Sequence, residues 1–194
     1  MQSESNRRDF LQKTAVTGVG IAALTRLAPP TALGANERVR IAGIGTGDRG
    51  SDRLRVAKSL GAEITALADV NEAMLDRCEA SLDQKVKRYR DYQEMLAQDP
   101  CDGVIIASPD HWHHDMLLDA IQAGKDVYIE KPLSRTIEEG QSMVKAVQAS
   151  DRIVQVGNHR RSGQHWAIAH DVVASGRIGD VKWIRTWDCR YRLI

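Results

Sequence analysis

An apolar run ending in glycines at Gly45, Gly47 and Gly50 restricts this chain more than any other stretch. Val39-Arg40-Ile41-Ala42-Gly43-Ile44 has the length and content of a buried strand, and a G-x-G-x-x-G turn follows it directly. Gly45 permits the tight turn out of the strand. Gly47, lacking a Cβ, lets backbone approach a pyrophosphate. Gly50 lets the next helix pack against the strand. That helix begins near Asp48 or Arg49, so its unpaired N–H groups and positive dipole end face the phosphates. The whole segment Gly45-Thr46-Gly47-Asp48-Arg49-Gly50 is therefore a candidate cofactor-binding turn.

A glycine turn alone is a weak signal, but here it has context. A second β-like run, Glu63–Ala68, ends at Asp69, 19 residues past Gly50. An acid at that spacing accepts hydrogen bonds from the ribose hydroxyls of a dinucleotide. A carboxylate there repels a 2′-phosphate, so NAD is expected in preference to NADP.

Beyond Asp69 the pattern alternates strand and helix. Asn71 caps a helix toward Leu82, and a short strand follows at Val86–Tyr89. Asp91 and Glu94 read as a capping box. Gly103–Ala107 is apolar throughout, as expected of a strand covered on both faces. Helix Trp112–Ala123, strand Asp126–Ile129, helix Ile137–Ala149 and strand Ile153–Val156 complete the series. Repeated βα units with short turns imply an α/β, Rossmann-type doubly wound parallel sheet, with its ligand crevice at the carboxyl ends of the strands.

Three polar clusters fall on that rim: Ser108-Pro109-Asp110-His111-Trp112-His113-His114, Glu130-Lys131-Pro132 and Gly157-Asn158-His159-Arg160-Arg161. His111 could share a helix face with His114, three residues on, or with Asp115, four on, but no third or fourth ligand accompanies such a pair and no metal site is expected. Trp112 is either a core residue or a wall for a sugar ring.

Composition excludes other classes. The 194 residues carry net charge +1, which leaves no electrostatic footprint for nucleic acid. Cys78, Cys101 and Cys189 form neither a zinc motif nor a disulfide framework. Residues 1–35 read as a leader. Asn6-Arg7-Arg8-Asp9-Phe10-Leu11 resembles a twin-arginine export signal, and the apolar run Thr14–Leu24 is too short to span a bilayer. An exported, periplasmic location without a membrane span is the expectation. The domain expectation is a leader over 1–35, a dinucleotide-binding domain over 36–157 and the beginning of a second α/β domain over 158–194.

Gly45–Gly50, Ser108-Pro109 with His113, Gly124-Lys125-Asp126-Val127-Tyr128-Ile129-Glu130-Lys131-Pro132 and Val156-Gly157 with Arg161 together resemble the Gfo/Idh/MocA oxidoreductases over about residues 37–194. The twin-arginine start and the His-Trp-His-His run are similar to its exported members. The resemblance implies an N-terminal Rossmann domain and a C-terminal domain built on an open, mostly antiparallel sheet. It also implies NAD or NADP, a sugar, inositol or related polyol as substrate, and a homo-oligomer at full length. Cofactor contacts carried over are the glycine turn, Asp69, Ser108, Pro109, His113, Glu130 and Lys131; substrate contacts are Trp112, Lys131 and Arg161.

In such an oxidation one group takes the hydroxyl proton as hydride leaves the same carbon, and Lys131 is the candidate catalytic residue. The same start serves an NAD-dependent glycosidase that oxidises, eliminates and reduces again; a non-catalytic dinucleotide-binding fragment is the third reading. After helix Gln164–Ala174 only one strand of the second domain is expected, Val181–Arg192, which points to a truncated C-terminal domain.

Overall fold

The computed structural model describes residues 38–187; the leader read over 1–35, residues 188–192 of the expected last strand, and Cys189 lie outside them. The chain divides into two compact units, one reaching Val156 and one beginning at Gly157.

Six strands build one sheet: β1 (Arg40–Ile44), β2 (Glu63–Ala68), β3 (Lys87–Tyr89), β4 (Gly103–Ile106), β5 (Asp126–Glu130) and β6 (Val154–Gly157), in the order β3-β2-β1-β4-β5-β6. β1 pairs in parallel with β2 and β4, β2 with β3, and β4 with β5. The Val127 N–H donates to the Ile153 carbonyl at 2.9 Å where β6 joins. Helices α1 (Asp48–Ser59), α2 (Glu72–Leu82), α3 (Tyr92–Gln98), α4 (His113–Gln122) and α5 (Ile137–Gln148) connect the strands. The order reverses between β1 and β4, and at such a switch point the carboxyl ends of the strands open a crevice.

Alternation along the strands divides the core into two layers. Val104, Ile106, Val127 and Ile129 face one side with Met95, Leu117 and Met143 from α3, α4 and α5. Ile105 and Tyr128 face the other side, with Leu54 from α1 and Leu75, Cys78 and Leu82 from α2. β2 breaks the rule. Ile41 pairs with Ile64 but Ala42 pairs with Ala66, so Thr65 is an extra residue, a bulge. The slip puts Ile64 and Leu67 in one layer although they are three apart. Thr65 Oγ1 donates to Asp99 Oδ1 at 2.6 Å, anchoring the bulge to the buried end of α3.

Helix caps match the sequence in part. Asn71 caps α2 by accepting from the Ala73 N–H. The capping box expected at Asp91 does not close: Asp91 accepts from the Gln93 N–H, while Glu94 takes Gln98 Nε2 a turn further on. The complete box forms at α5, where Thr136 and Glu139 each accept from the other's backbone. α4 starts one residue later than expected because Asp110–Trp112 forms a 3-10 turn.

The second unit holds a 3-10 turn at His159–Ser162 and helix α6 (Gln164–Ala174), none of whose residues is buried. The strand expected over Val181–Arg192 is absent from 181–187, the part described. A lone strand gains stability only from a ladder partner, and Trp183 and Trp187 stand exposed there.

One buried carboxylate ties α2 to β3. Glu79 is 4% exposed and accepts from the Val86 N–H at 3.1 Å, from Lys85 Nζ at 2.9 Å and from the Arg88 guanidinium. Arg88 first, then Lys85 and the Val86 amide, hold its carboxyl down at about 2, against an ordinary 4.5. A depressed carboxyl contributes stability that is complete above its unfolded value and disappears as pH falls through its folded value. Urea midpoints of the wild type should therefore fall between pH 4.5 and about 2. Glu79→Gln should start lower at pH 7 and show a shallower fall; parallel curves would contradict this.

Candidate active site at the strand ends

The three glycines of the first turn each answer a different steric demand. Gly45 has φ +83°, and a Cβ on it would sit 2.6 Å from the Ser108 nitrogen. A Cβ on Gly50 would lie 1.9 Å from the Gly45 carbonyl oxygen. Any side chain at Gly50 would drive α1 off β1. Gly47 differs: its φ is −60°, and a Cβ there meets no protein atom within 4 Å. It opens on a cleft of about 1110 Å³ bounded by Gly45, Gly47, Asp48 and Arg49 on one side. Gly47 caps α1 without any side-chain hydrogen bond, so the helix presents N–H groups to that cleft. This is the geometry a pyrophosphate requires, and the turn fits a dinucleotide.

Asp69 closes the turn from β2. Its Oδ2 accepts from the Thr46 N–H at 2.7 Å and from Thr46 Oγ1 at 3.0 Å, and its Oδ1 accepts from the Asn71 N–H at 2.9 Å. An ionised carboxylate has roughly four accepting positions. Three are filled from within the protein, leaving one for a ribose hydroxyl. Thr46, 1% exposed, stands behind the cleft wall and acts through this clamp.

Residues after β3 and β4 complete the cleft. Ser108, Pro109 and Trp112 line it. Trp112 is 46% exposed, so it is not a core residue. Sequence reasoning gave Arg90, Asp91, Tyr92 and Gln93 no place in the cleft, yet they line it after β3. The missed signal was their position: they follow a strand end, as the recognised clusters do. Tyr92 Oη donates to Asp119 Oδ2 at 2.8 Å and Gln93 Nε2 donates to the same oxygen at 2.9 Å, tying α3 to α4 beneath the cleft. Burial first, then the Asp119 carboxylate, pushes the Tyr92 phenol well above its ordinary range.

Lys131 follows β5 directly. Its side chain is exposed and makes no hydrogen bond or ion pair among the described residues. Glu130 is 3% exposed and points inward: Oε1 lies 3.5 Å from Tyr128 Oη and 3.9 Å from Arg53 Nε, and Oε2 has no partner. Burial, reinforced by the Glu130 charge, raises the Tyr128 phenol. Glu130 thus touches α1 from beneath the turn and does not line the cleft.

His113 is also set back, 1% exposed, between the loops after β4 and β5. His114 reaches Asp115 Oδ1 at 2.7 Å and Ser142 Oγ at 3.1 Å. Among the described residues no three His, Cys, Asp or Glu side chains could hold a metal ion, and no helix is long and apolar enough to cross a membrane. Arg161 is exposed on the 3-10 turn of the second unit.

Comparison with known proteins agrees with this geometry. The chain is 36% identical over 140 residues to inositol 2-dehydrogenase of Pseudomonas savastanoi pv. phaseolicola, covering 71% of this chain and 42% of that protein. It is 28% identical over 157 residues to the alpha-N-acetylgalactosaminidase of Shewanella oneidensis, covering 75% and 34%. The structure of scyllo-inositol dehydrogenase from Lactobacillus casei with bound NAD(H) and scyllo-inositol superposes with a TM-score of 0.67 at 28% identity, covering 74% of this chain and 43% of that one. The chain thus spans less than half the length of these relatives. Its residues 39–158 match the GFO_IDH_MocA oxidoreductase family, the one with an NAD-binding Rossmann fold, and the chain belongs to that family.

Proposed function

We propose that the whole protein is an NAD-dependent oxidoreductase that takes hydride from the carbon bearing a secondary hydroxyl of a polyol, sugar or inositol, as the hydroxyl gives up its proton. The observation that carries this is the placement of Lys131. It stands exposed and unpaired among the described residues, directly after β5, at the same carboxyl edge of the sheet as the glycine turn and Asp69, though it does not itself line the cleft. The nicotinamide ring supplies the hydride acceptor when bound. The chain supplies the rest: Gly45–Gly50 and the α1 N-terminus hold phosphates, Asp69 and Ser108-Pro109 position the nucleotide, and Trp112 contacts substrate. Lys131 Nζ takes the hydroxyl proton.

A second reading is favoured by the similarity to the Shewanella alpha-N-acetylgalactosaminidase. In that reading the same oxidation opens an elimination, and hydride returns to the sugar. NADH absorbance rising with free polyols supports the first reading; aglycone release from a nitrophenyl glycoside without that rise supports the second. We further propose periplasmic export by the twin-arginine route. A reporter fused to Arg7→Lys/Arg8→Lys should stay in the cytoplasm, and arrival in the periplasm would contradict the export reading.

Gly47→Val should leave the protein folded, with a melting temperature lowered only by the poorer N-cap, since a Cβ there meets no protein atom within 4 Å, and should abolish NAD binding by filling the phosphate approach. NAD binding retained in titration would overturn the cofactor assignment. NADP should bind more weakly than NAD, because the Asp69 carboxylate meets its 2′-phosphate; equal affinity would contradict that role.

Lys131→Met in the whole protein should lower turnover by ~10²–10⁴-fold. Its NAD affinity should stay within about tenfold of wild type, a shift of ~1.4 kcal/mol. Met keeps most of the stem volume, so packing is preserved. Wild-type turnover in this variant would remove Lys131 from the chemistry.

A further inference from the structure

We infer that His113 is the positioning residue for Lys131: its imidazole ties the loop that carries Lys131 to the loop that lines the cofactor cleft. The inference rests on the role proposed for Lys131. His113 Nδ1 lies 2.7 Å from the Pro132 carbonyl oxygen, and Nε2 lies 3.1 Å from the Ser108 carbonyl oxygen. Pro132 immediately follows Lys131, and Ser108 lines the cleft. One ring therefore lies within reach of both loops; a neutral imidazole carries one N–H, so it donates to one of the two carbonyls.

Burying the ring is costly unless its N–H finds an acceptor. The ring is 1% exposed, and a buried imidazole without partners is strongly disfavoured. An aliphatic side chain of similar volume would fill the same space without reaching either carbonyl. The loop needs such a tie. Its far end is held by the α5 capping box, where Glu139 accepts from the Arg135 and Thr136 N–H groups. Its near end is held by buried Glu130. Between them the Lys131 side chain makes no hydrogen bond or ion pair among the described residues. Pro132 has no N–H, so its carbonyl is its only backbone handle, and His113 takes it. Nδ1, at the shorter distance, donates that bond. Lys131 is thereby fixed through its neighbour's backbone while its amine stays free.

Two side chains separate the two ties. The amide nitrogen of Asn occupies the place of His Nδ1, and that of Gln the place of Nε2. In the whole protein, His113→Phe should speed amide hydrogen exchange of Lys131 and Leu133, with β4 and β5 protected as in wild type. It should lower kcat by about 10²-fold, the cost of a misplaced reacting group, and keep the NAD dissociation constant within about threefold. His113→Asn should restore both exchange and kcat; His113→Gln should restore neither. The exchange readout needs no substrate, and the rates are taken with myo-inositol and NAD. The Asn and Gln pair decides the question even if the Phe variant fails to fold. Unchanged exchange in the Phe variant, or Gln rescuing where Asn does not, overturns the inference. So does a loss of NAD affinity that accounts for the loss of rate, since His113 would then act on the cofactor. Lys131→Met run alongside separates the two levels: if that variant turns over normally, the reading of Lys131 has failed, whereas a dead Lys131→Met beside an unimpaired His113→Phe defeats only the tie.

Discussion

The clamp between Asp69 and Thr46 is the interaction on which the rest of the site depends. A carboxylate at the end of β2 accepts both the backbone N–H and the hydroxyl of a residue inside the glycine turn. Such charge-assisted bonds are shorter and stronger than neutral ones. They hold the turn open toward the crevice, and the steric demands at Gly45 and Gly50 then press α1 against β1 with its N-terminus facing the cleft. The acid expected to grip ribose is therefore first a structural member. It offers the ligand one accepting position instead of two.

Much of this was legible in the sequence because it is local. Spacing alone located the β1 turn, the acid at Asp69 and the polar residues at strand ends, since a parallel sheet places every such residue on one rim. The Thr65 bulge was not legible. Nothing in Glu63–Ala68 distinguishes a six-residue strand from a five-residue strand with an insertion, and only pairing with β1 shows it. Asp91 and Thr136 make the same point for caps. Both sequences offer an acid three residues on, but Glu94 found a partner along its own helix and Glu139 found the backbone.

The set-back residues show where motif reading stops. His113 and Glu130 occupy positions that a motif groups with the cofactor, yet both are buried behind the cleft. A motif records that a residue is needed near a site and does not record whether it touches the ligand or holds something that does. Three-dimensional placement separates the two: Ser108, Pro109 and Trp112 line the cleft, while His113 reaches the backbone carbonyls of Ser108 and Pro132. The strand expected over Val181–Arg192 is absent from its described part, 181–187, for a related reason, because β structure depends on a partner that local sequence does not name.

The central claim is that one rim binds the dinucleotide and presents Lys131 to its reactive end. Lysine-selective labelling with trinitrobenzenesulfonate, with and without saturating NAD, tests it directly. Lys145 on α5, exposed and distant from the turn in sequence, is the internal control. The account predicts that NAD slows labelling of Lys131 and leaves Lys145 unchanged. Labelling of Lys131 at the same rate while NAD is demonstrably bound would contradict it.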